Sequence, residues 1–166
     1  DFVLNINLSY VQLKRTDFVE TVKRILMETG FPTKNLCFEL TERCRFVEKE
    51  ILYAALMSFR QMGIKIALDD FGTGFASIDI LKYITFDTIK IERIFVKDIA
   101  ANEKEERLLG IFTDVAATFG SDVCVEGIET ETIRDIVKKY HVNSLQGYLY
   151  SKPVSLEDFL AKYIDH

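Results

Sequence analysis

The sequence has few of the features that mark secreted, membrane-spanning or nucleic-acid-binding proteins. No apolar run approaches the roughly 18 residues of a transmembrane helix, and the first residues show no signal-peptide pattern. The three cysteines are an odd number without a CxxC spacing, and Cys37 and Cys124 lie in apolar runs. We therefore expect buried free thiols in a reducing compartment. A net charge of −5 argues against binding a nucleic acid polymer, although metal ions could supply the positive charge that a small phosphate ligand needs.

The remaining composition is that of an ordinary globular domain. The chain has 166 residues, enough for a sizeable core, and its shares of 48% hydrophobic and 28% charged residues are typical of such domains. No low-complexity linker interrupts it, so we expect one domain over residues 1–166. The sequence opens at Asp1 in mid-pattern and without methionine, which favours a piece of a longer polypeptide. We expect a cytoplasmic domain, with membrane attachment of the parent protein left open.

Apolar strands alternate with amphipathic helices along the chain. The predicted strands cover residues 2–8, 36–40, 64–69, 88–91, 122–125 and 142–145. The predicted helices cover residues 17–28, 47–62, 77–83, 103–119, 130–140 and 156–164. This order indicates a parallel sheet with helical cover, either an open doubly wound sheet or a (β/α)8 barrel. Because a complete barrel needs about 250 residues, we predict an α/β fold that is an incomplete, modified TIM-type (β/α)8 barrel with about six βα units.

Each predicted strand ends with a polar side chain that could bind a ligand or take part in catalysis. These side chains are Asn7, Glu39, the adjacent Asp69 and Asp70, Lys90, Glu126 and Gln146. Any one of them alone is more often a turn former, a cap or a surface residue. In a barrel, however, the carboxyl ends of the strands converge on one mouth, where reactive residues come from several strands. The recurrence along six strands therefore predicts a shared site.

The predicted site is rich in carboxylates and carries one amine. Four carboxylates beside Lys90 repel one another, so some must be protonated or cations must bind. All candidate ligands are oxygens and no histidine or cysteine belongs to the set, which favours Mg²⁺ or Mn²⁺ over Zn²⁺. Asp69 and Asp70 could bridge or flank two ions about 4 Å apart, an arrangement that promotes phosphoester cleavage.

Six short motifs occur in order over nearly the whole chain. They are NLS (7–9), ELTE (39–42), DDFGTG (69–74), KIE (90–92), EGIE (126–129) and QGYLYSKP (146–153). With them, the chain resembles the EAL-domain family of cyclic di-GMP phosphodiesterases. The resemblance implies a modified (β/α)8 barrel that hydrolyses cyclic di-GMP to linear pGpG with two Mg²⁺ or Mn²⁺ ions. An enolase-like barrel enzyme would explain the carboxylates but not the QGY-x-x-SKP stretch.

The resemblance also implies roles for single residues. The metal ligands correspond to Asn7, Glu39, Asp69, Asp70 and Glu126. The catalytic residues correspond to Lys90, which orients or helps to activate the attacking water, and to Glu126 and Gln146. The loop tied to substrate binding and dimerisation corresponds to Phe71, Gly72, Thr73 and Gly74, with Glu42 as its anchor. Pro153 helps to shape the dinucleotide site, and Glu129 supports the metal ligands without binding the metal itself.

Three departures from the family pattern bear on activity. The Glu-Ala-Leu motif, whose glutamate is a metal ligand, belongs to an early strand that is absent from this sequence. Glu92 stands where the family usually has aspartate, and VEGIE replaces the commoner AEGVE. The first departure leaves open a receptor that binds cyclic di-GMP without hydrolysing it. If the polypeptide begins at Asp1, the unpaired edge of its first strand predicts a homodimer or segment exchange, and weak metal binding.

Overall fold

The computed structural model describes residues 2–41, 43–44, 47–73 and 77–164. The strands are β1 (Leu4–Asn7), β2 (Leu36–Thr41), β3 (Lys65–Phe71), β4 (Thr88–Ile91), β5 (Asp122–Val125) and β6 (Ser144–Leu145). The helices are α1 (Tyr10–Leu13), α2 (Phe18–Thr29), α3 (Lys49–Gln61), α4 (Ser77–Leu81), α5 (Glu103–Thr118), α6 (Glu131–Val137) and α7 (Leu156–Tyr163). Short 3-10 turns cover Thr33–Asn35 and Arg93–Phe95. The predicted alternation is confirmed. The main differences are shorter β1, β6 and α6, a β3 that extends to Phe71, and the unpredicted α1.

Local side-chain chemistry determines where several helices begin and end. A capping box starts α1, because the Ser9 hydroxyl accepts a hydrogen bond from Val11 N while the Gln12 side chain accepts one from Ser9 N. Ser155 caps α7, since its hydroxyl accepts a hydrogen bond from the backbone nitrogen three residues later. The left-handed Gly30 ends α2. These residues thus mark the start of α1, the end of α2 and the start of α7.

The six strands form one parallel sheet in the order β1-β2-β3-β4-β5-β6. Each strand therefore pairs with the strands that precede and follow it in the sequence. A doubly wound sheet reverses its strand order at a switch point, so this order excludes the doubly wound alternative. The sheet winds in one direction, as a barrel does. Between the residues that the structure describes, β1 and β6 do not pair, and they form the two edges.

The sheet has an apolar face that packs into the core and a polar face on the other side. Side chains alternate along a strand and registered partners share a face. The apolar face carries Phe38, Leu40, Ile66, Leu68, Ile89, Ile91, Val123 and Val125, all at most 4% exposed. Burying a side chain of this size contributes about 1.5–3 kcal/mol. The polar face carries Asn7, Glu39, Asp69, Lys90 and Cys124. The core therefore supports a sheet whose opposite face is available for chemistry.

The cysteines are buried thiols, as the sequence predicts. Cys37, Cys44 and Cys124 are all buried and none forms a disulfide. Burial raises the pKa of the Cys37 thiol to about 11, and the nearby Glu39 charge acts in the same direction. Burial also raises the pKa of the Cys124 thiol. Both thiols therefore stay protonated and poorly reactive at neutral pH.

The first strand is the most exposed part of the sheet. Leu4 and Ile6 of β1 are 37% and 42% exposed, and Phe2 just before them is 45% exposed. An apolar edge strand of this kind is available for pairing with another chain or segment. Across the described residues, no helix combines the length and the apolar character needed to cross a membrane.

Candidate metal centre and catalytic site

Lys90 binds three carboxylates that come from three other strands. Its Nζ lies 2.6 Å from Glu126 Oε1, 2.7 Å from Glu39 Oε1 and 3.4 Å from Asp69 Oδ1. Glu39 belongs to β2, Asp69 to β3 and Lys90 to β4, while Glu126 directly follows β5. The side chains of Lys90 and Glu39 are only 7% and 8% exposed, so solvent screens their charges weakly. Four of the predicted site residues thus meet in one cluster.

Parallel pairing explains why these side chains meet. All four lie at or near the carboxyl ends of consecutive strands and on the polar face, and neighbouring strands are only about 4.8 Å apart. Asn7 is the register partner of Glu39. Gln146 follows β6, where its backbone nitrogen donates to Val125 O at 2.9 Å. Asn7 and Gln146 therefore flank the cluster on its two sides without taking part in the ion pairs of Lys90.

A β-bulge separates the two adjacent aspartates. The pairing register shifts between Leu68 and Phe71, so Asp69 and Asp70 together stand opposite Lys90. Asp70 has a φ of +55°, a left-handed conformation that costs a non-glycine residue about 1–2 kcal/mol. In a regular strand, neighbouring side chains point to opposite faces. The bulge is the device that re-aims one of the two carboxylates.

The turn after the bulge is closed by Thr73. Its backbone nitrogen and its hydroxyl both donate to Asp70 O, at 3.2 Å and 2.9 Å. These bonds help to hold Asp70 in its left-handed conformation. Gly74, the next predicted loop residue, and Glu42, the predicted anchor of the loop, lie outside the described residues. Their roles stay predictions.

The same loop rests on aromatic rings. Phe71 is 1% exposed, and its ring centroid lies 5.3 Å from that of Phe112 in α5. Phe112 in turn lies 5.0 Å from Phe95 in the 3-10 turn after β4. Gly72 has a φ of +93°, and a Cβ built on it would lie 2.9 Å from Phe112 Cζ. Both the backbone conformation and the lack of space explain the glycine of DDFGTG at this position.

Burial and the charges of the cluster together raise the pKa values of three of its groups. Burial alone would lower the pKa of Lys90, but hydrogen bonds to Glu126 and Glu39 and the charges of Glu126 and Asp69 raise it above its usual value. Burial raises the pKa of Glu126, and Lys90 offsets this only in part. Burial and then the charge of Asp69 raise the pKa of Asp70. One ammonium is shared by more negative charge than it neutralises, so the site favours additional positive charge.

The donor set fits a hard divalent cation in chemical type. Asp69 Oδ1 is buried and accepts no hydrogen bond from any described residue, although Lys90 Nζ lies 3.4 Å away. Leaving a buried carboxylate oxygen unsatisfied is costly, and a cation would satisfy it. The oxygens of the carboxylates and of the flanking Asn7 amide suit Mg²⁺ or Mn²⁺. Within the described parts of the chain, no three acidic, histidine or cysteine side chains are already grouped to hold a metal ion. Lys90 lies between the carboxylates, and a cation has to compete with it.

A cavity of about 650 Å³ lies beside the end of β6. Gln146 and Pro153 both line it, as does the unpredicted Phe159 of α7, whose ring centroid lies 5.9 Å from that of Phe2. A Cβ built on Gly147 would lie 2.2 Å from Ile128 O. The glycine of QGY is therefore needed because the segments that follow β5 and β6 approach each other closely.

Other supporting residues also escaped prediction from the sequence. Phe95 and Phe112 are distant from Phe71 in the chain, and their spacing is that of ordinary core residues, so no local pattern indicates their contact. Arg93 pairs with Glu129 at 3.0 Å. This pair could have been suspected, because KIE and EGIE lie at the ends of two neighbouring strands, Arg93 directly follows KIE and Glu129 closes EGIE. The structure thus adds a layer of residues around the predicted site.

Comparison with known proteins places the chain among EAL proteins. The sequence model of the EAL domain matches residues 1–153. The cyclic di-GMP phosphodiesterase PdeR of Escherichia coli K12 is 31% identical over 162 residues, which are 96% of this chain and 24% of PdeR. The EAL enzyme Bd1971, in its cAMP- and cyclic di-GMP-bound form, matches with a TM-score of 0.92 at 33% identity, over 97% of this chain and 43% of that chain. The manganese and cyclic di-GMP complex of Klebsiella pneumoniae BlrP1 matches with a TM-score of 0.82 at 26% identity, over 91% and 39%.

These matches agree with the fold and with the motifs. The chain spans about a quarter of the length of PdeR and less than half of each of the two solved chains. Its six parallel strands and their helices correspond to part of a TIM-like EAL barrel, which confirms the predicted incomplete barrel. The chain belongs to the EAL domain family.

Proposed function

We propose that this chain carries catalytic residues of a metal-dependent phosphodiesterase that hydrolyses cyclic di-GMP to linear pGpG and so turns over a signalling nucleotide. The observation that carries the proposal is the cluster of Glu39, Asp69 and Glu126 around Lys90 at the carboxyl ends of neighbouring strands. The name of PdeR and the cyclic di-GMP complexes of Bd1971 and BlrP1 support the substrate. The manganese in the BlrP1 complex supports a divalent ion.

A divalent ion would be held by residues at the mouth of the sheet. We assign this role to Asn7, Glu39, Asp69, Asp70 and Glu126, because their oxygens suit Mg²⁺ and Mn²⁺. When bound, such ions would supply Lewis acidity and lower the pKa of water, so that hydroxide is available to attack a phosphodiester near neutral pH. Asp69 Oδ1 is buried without a hydrogen-bond partner among the described residues, so a cation at this atom would satisfy it.

The protein's own groups then position the reactants. Lys90 stays an ammonium at neutral pH because its pKa is raised, so it acts as a hydrogen-bond donor and a positive charge near the phosphate. Glu126 combines a raised pKa with partial exposure, which suits a carboxylate that accepts the proton of the attacking water. Gln146, on the flank of the cluster, offers an amide to orient that water.

The cavity beside β6 provides room for a guanine base. Its volume of about 650 Å³ lies within the range of small-ligand pockets, which is about 300–1,000 Å³. Pro153 and the aromatic rings of Tyr148 and Phe159 line it, and flat bases stack on such surfaces. Gln146 lines the same cavity and so connects the base site to the carboxylates.

The test measures turnover of cyclic di-GMP. The 166-residue chain and the natural polypeptide that carries it are incubated with cyclic di-GMP and Mn²⁺ or Mg²⁺, and pGpG is quantified by chromatography. We expect hydrolysis by the natural polypeptide, and a loss of about 100-fold or more in kcat for Glu39→Gln, as when one charge-stabilising group is removed from an active site. Asp122→Asn is the matched control, because Asp122 lies exposed at the opposite end of β5 from Glu126.

Two outcomes separate the enzyme from its alternative. A natural polypeptide that binds cyclic di-GMP but produces no pGpG with either ion would contradict the enzyme and favour the non-catalytic receptor. The position of Lys90 among the carboxylates, with no preformed metal group in the described residues, is the observation that favours that receptor. Hydrolysis that Asp122→Asn abolishes and Glu39→Gln leaves intact would contradict the assigned site.

A further inference from the structure

Three phenylalanine rings connect the outer helix α5 to the pair of aspartates. Phe71 directly follows Asp70 and packs edge-to-face on Phe112, with the ring planes at 76°. Phe112 packs edge-to-face on Phe95, with the ring planes at 86°. The three rings come from the end of β3, from α5 and from the 3-10 turn after β4. They form a continuous support beneath the bulge.

The backbone of the loop lies directly on two of these rings. A Cβ built on Gly72 would lie 2.9 Å from Phe112 Cζ and 3.0 Å from Phe95 Cε2 and Cζ. The two rings therefore fill the space where a side chain of residue 72 would lie, and they border the loop at this point. Asp70 O accepts hydrogen bonds from the Thr73 hydroxyl at 2.9 Å and from the Thr73 backbone nitrogen at 3.2 Å. The left-handed Asp70 is thus followed directly by the buried Phe71, which packs on Phe112, and by Gly72, whose Cβ position is filled by the rings of Phe112 and Phe95.

We propose that Phe95 and Phe112 form an aromatic platform that sets the position of Asp69 and Asp70, and that Phe112 is a positioning residue for divalent-cation binding. Phe112 packs on Phe71 and borders Gly72, and it acts on the two aspartates through these residues. The inference rests on the proposed metal site. It goes beyond that site by assigning a role to a residue of the outer helix layer.

The core offers a matched control for the loss of a phenylalanine ring. Phe59 is fully buried and lies in an aromatic cluster of its own, 4.9 Å from Phe38 and 6.1 Å from Phe18 between ring centroids. It sits near the end of α3, where its carbonyl accepts a hydrogen bond from Ile64 N just before β3 starts. Phe59 is therefore at the end of β3 opposite the aspartates. Phe59→Leu disturbs packing without disturbing the platform.

The decisive experiment is calorimetric titration of the 166-residue chain with Mn²⁺ in the wild type, Phe112→Leu and Phe59→Leu. Thermal unfolding in EDTA records how much stability each substitution removes. We expect the Mn²⁺ Kd to rise tenfold or more for Phe112→Leu and to stay within twofold for Phe59→Leu, even if Phe59→Leu unfolds at the lower temperature. Equal Mn²⁺ affinities in all three proteins would overturn the inference.

A second variant keeps the ring and tests the platform from the opposite direction. Phe112 Cζ is the platform atom nearest to the Cβ position of Gly72, so the hydroxyl of Phe112→Tyr would press on the loop without leaving a cavity. We expect a raised Mn²⁺ Kd with a midpoint of unfolding close to that of the wild type. If Phe112→Leu does not fold, Phe112→Tyr decides: an unchanged Mn²⁺ Kd would overturn the inference.

Hydrolysis supplies the readout that separates this inference from the proposed function. Where the natural polypeptide is active, Phe112→Tyr should raise the Mn²⁺ concentration for half-maximal rate about tenfold while kcat at saturating Mn²⁺ stays within twofold. Mn²⁺ binding without hydrolysis would reject the proposed function and leave the platform to be judged by affinity alone. A wild-type chain that binds no Mn²⁺ would overturn both.

Discussion

Lys90 has two effects on the site. Its ammonium group stabilises the three carboxylates around it, and it occupies the space between them that a metal ion would need. Two carboxylates a few ångströms apart repel each other by about 4 kcal/mol at an effective dielectric constant of about 20. The contacts of 2.6 Å and 2.7 Å to Glu126 and Glu39 relieve this repulsion in the metal-free chain. Lys90 is therefore the internal counter-ion of the site.

The residue-scale prediction concerns Lys90→Met. This substitution leaves buried carboxylates unpaired, so we expect the free energy of unfolding in EDTA to fall by about 3–5 kcal/mol. Saturating Mn²⁺ should raise the unfolding midpoint of Lys90→Met by more than it raises that of the wild type. The double variant Lys90→Met with Glu126→Gln should recover part of the lost stability, because one excess charge is gone.

Arg60→Met is the control for this prediction. Arg60 pairs with Asp87 at 3.3 Å, and neither residue belongs to the cluster. Its loss should lower the unfolding midpoint equally with EDTA and with Mn²⁺. A Lys90→Met chain that also responds equally to both conditions would show that Lys90 is a structural residue only.

The raised pKa of Glu126 predicts that folding stability depends on pH with opposite signs in the absence and in the presence of metal. Its pKa in the folded chain lies above the ordinary value of 4.5, so the folded state binds this proton more tightly than the unfolded state. On lowering the pH from about 7 toward about 5, this group should therefore stabilise the metal-free chain, while the competing proton weakens Mn²⁺ binding.

Thermal unfolding against pH, in EDTA and in Mn²⁺, measures this divergence. Glu126→Gln carries no such proton, and its metal-free midpoint should lack the contribution. Parallel pH profiles for the wild type in the two conditions would contradict the assignment of Glu126 to the metal site.

At the scale of elements, the sequence predicts the strands and the polar residues at their ends, but it does not predict the contacts that support those ends. Alternating apolar runs and helical stripes predict six strands in order, and each ends in a polar residue because barrel chemistry is placed there. The bulge at Asp69 and Asp70 cannot be predicted from this pattern, because it arises from a shift in the pairing register between β3 and β4. The helix α1 could have been found, because Ser9 and Gln12 have the spacing of a capping box.

The element-scale prediction concerns the crossing of the segments after β5 and β6. An added Cβ on Gly147 would meet the backbone of Ile128 at 2.2 Å, so Gly147→Ala must displace the end of one strand. We expect a loss of about 3 kcal/mol or more in the free energy of unfolding. Gly30→Ala is the control, because Gly30 has open space around its Cβ position and a left-handed φ of +65°.

Urea unfolding of the two variants separates crowding from backbone strain. Gly30→Ala should lose only about 1–2 kcal/mol, the cost of the left-handed conformation for a residue with a Cβ. A Gly147→Ala chain as stable as Gly30→Ala would mean that the two segments separate easily.

At the scale of the whole molecule, the open side of the sheet invites a second chain. The exposed Phe2, Leu4 and Ile6 lie at the edge strand β1. Because unpaired apolar edges associate, we propose that the 166-residue chain forms a homodimer through β1. One chain has a mass of 19.1 kDa. Light scattering after size-exclusion chromatography should give twice this mass. Ile6→Lys should shift the mass toward the monomer, whereas Ile111→Lys, at an exposed site on α5, should not.

The Ile111→Lys control also guards against a general effect of added charge. A dimer that survives Ile6→Lys and is lost in Ile111→Lys would place the interface on the outer helices. A monodisperse monomer of the wild type would reject the proposal.

The assembly of one cluster from four strands has a consequence for how the protein folds. Glu39, Asp69, Lys90 and Glu126 are far apart in the chain and meet only when β2 to β5 are paired. A cation that needs several of these carboxylates cannot bind well before the strands that carry them are paired. If the transition state for folding lacks one of these pairings, the cation binds that state only weakly. Such a cation prolongs the lifetime of the folded chain by slowing unfolding and leaves the folding rate nearly unchanged. The metal would then act as a lock on the finished sheet and not as a template for building it.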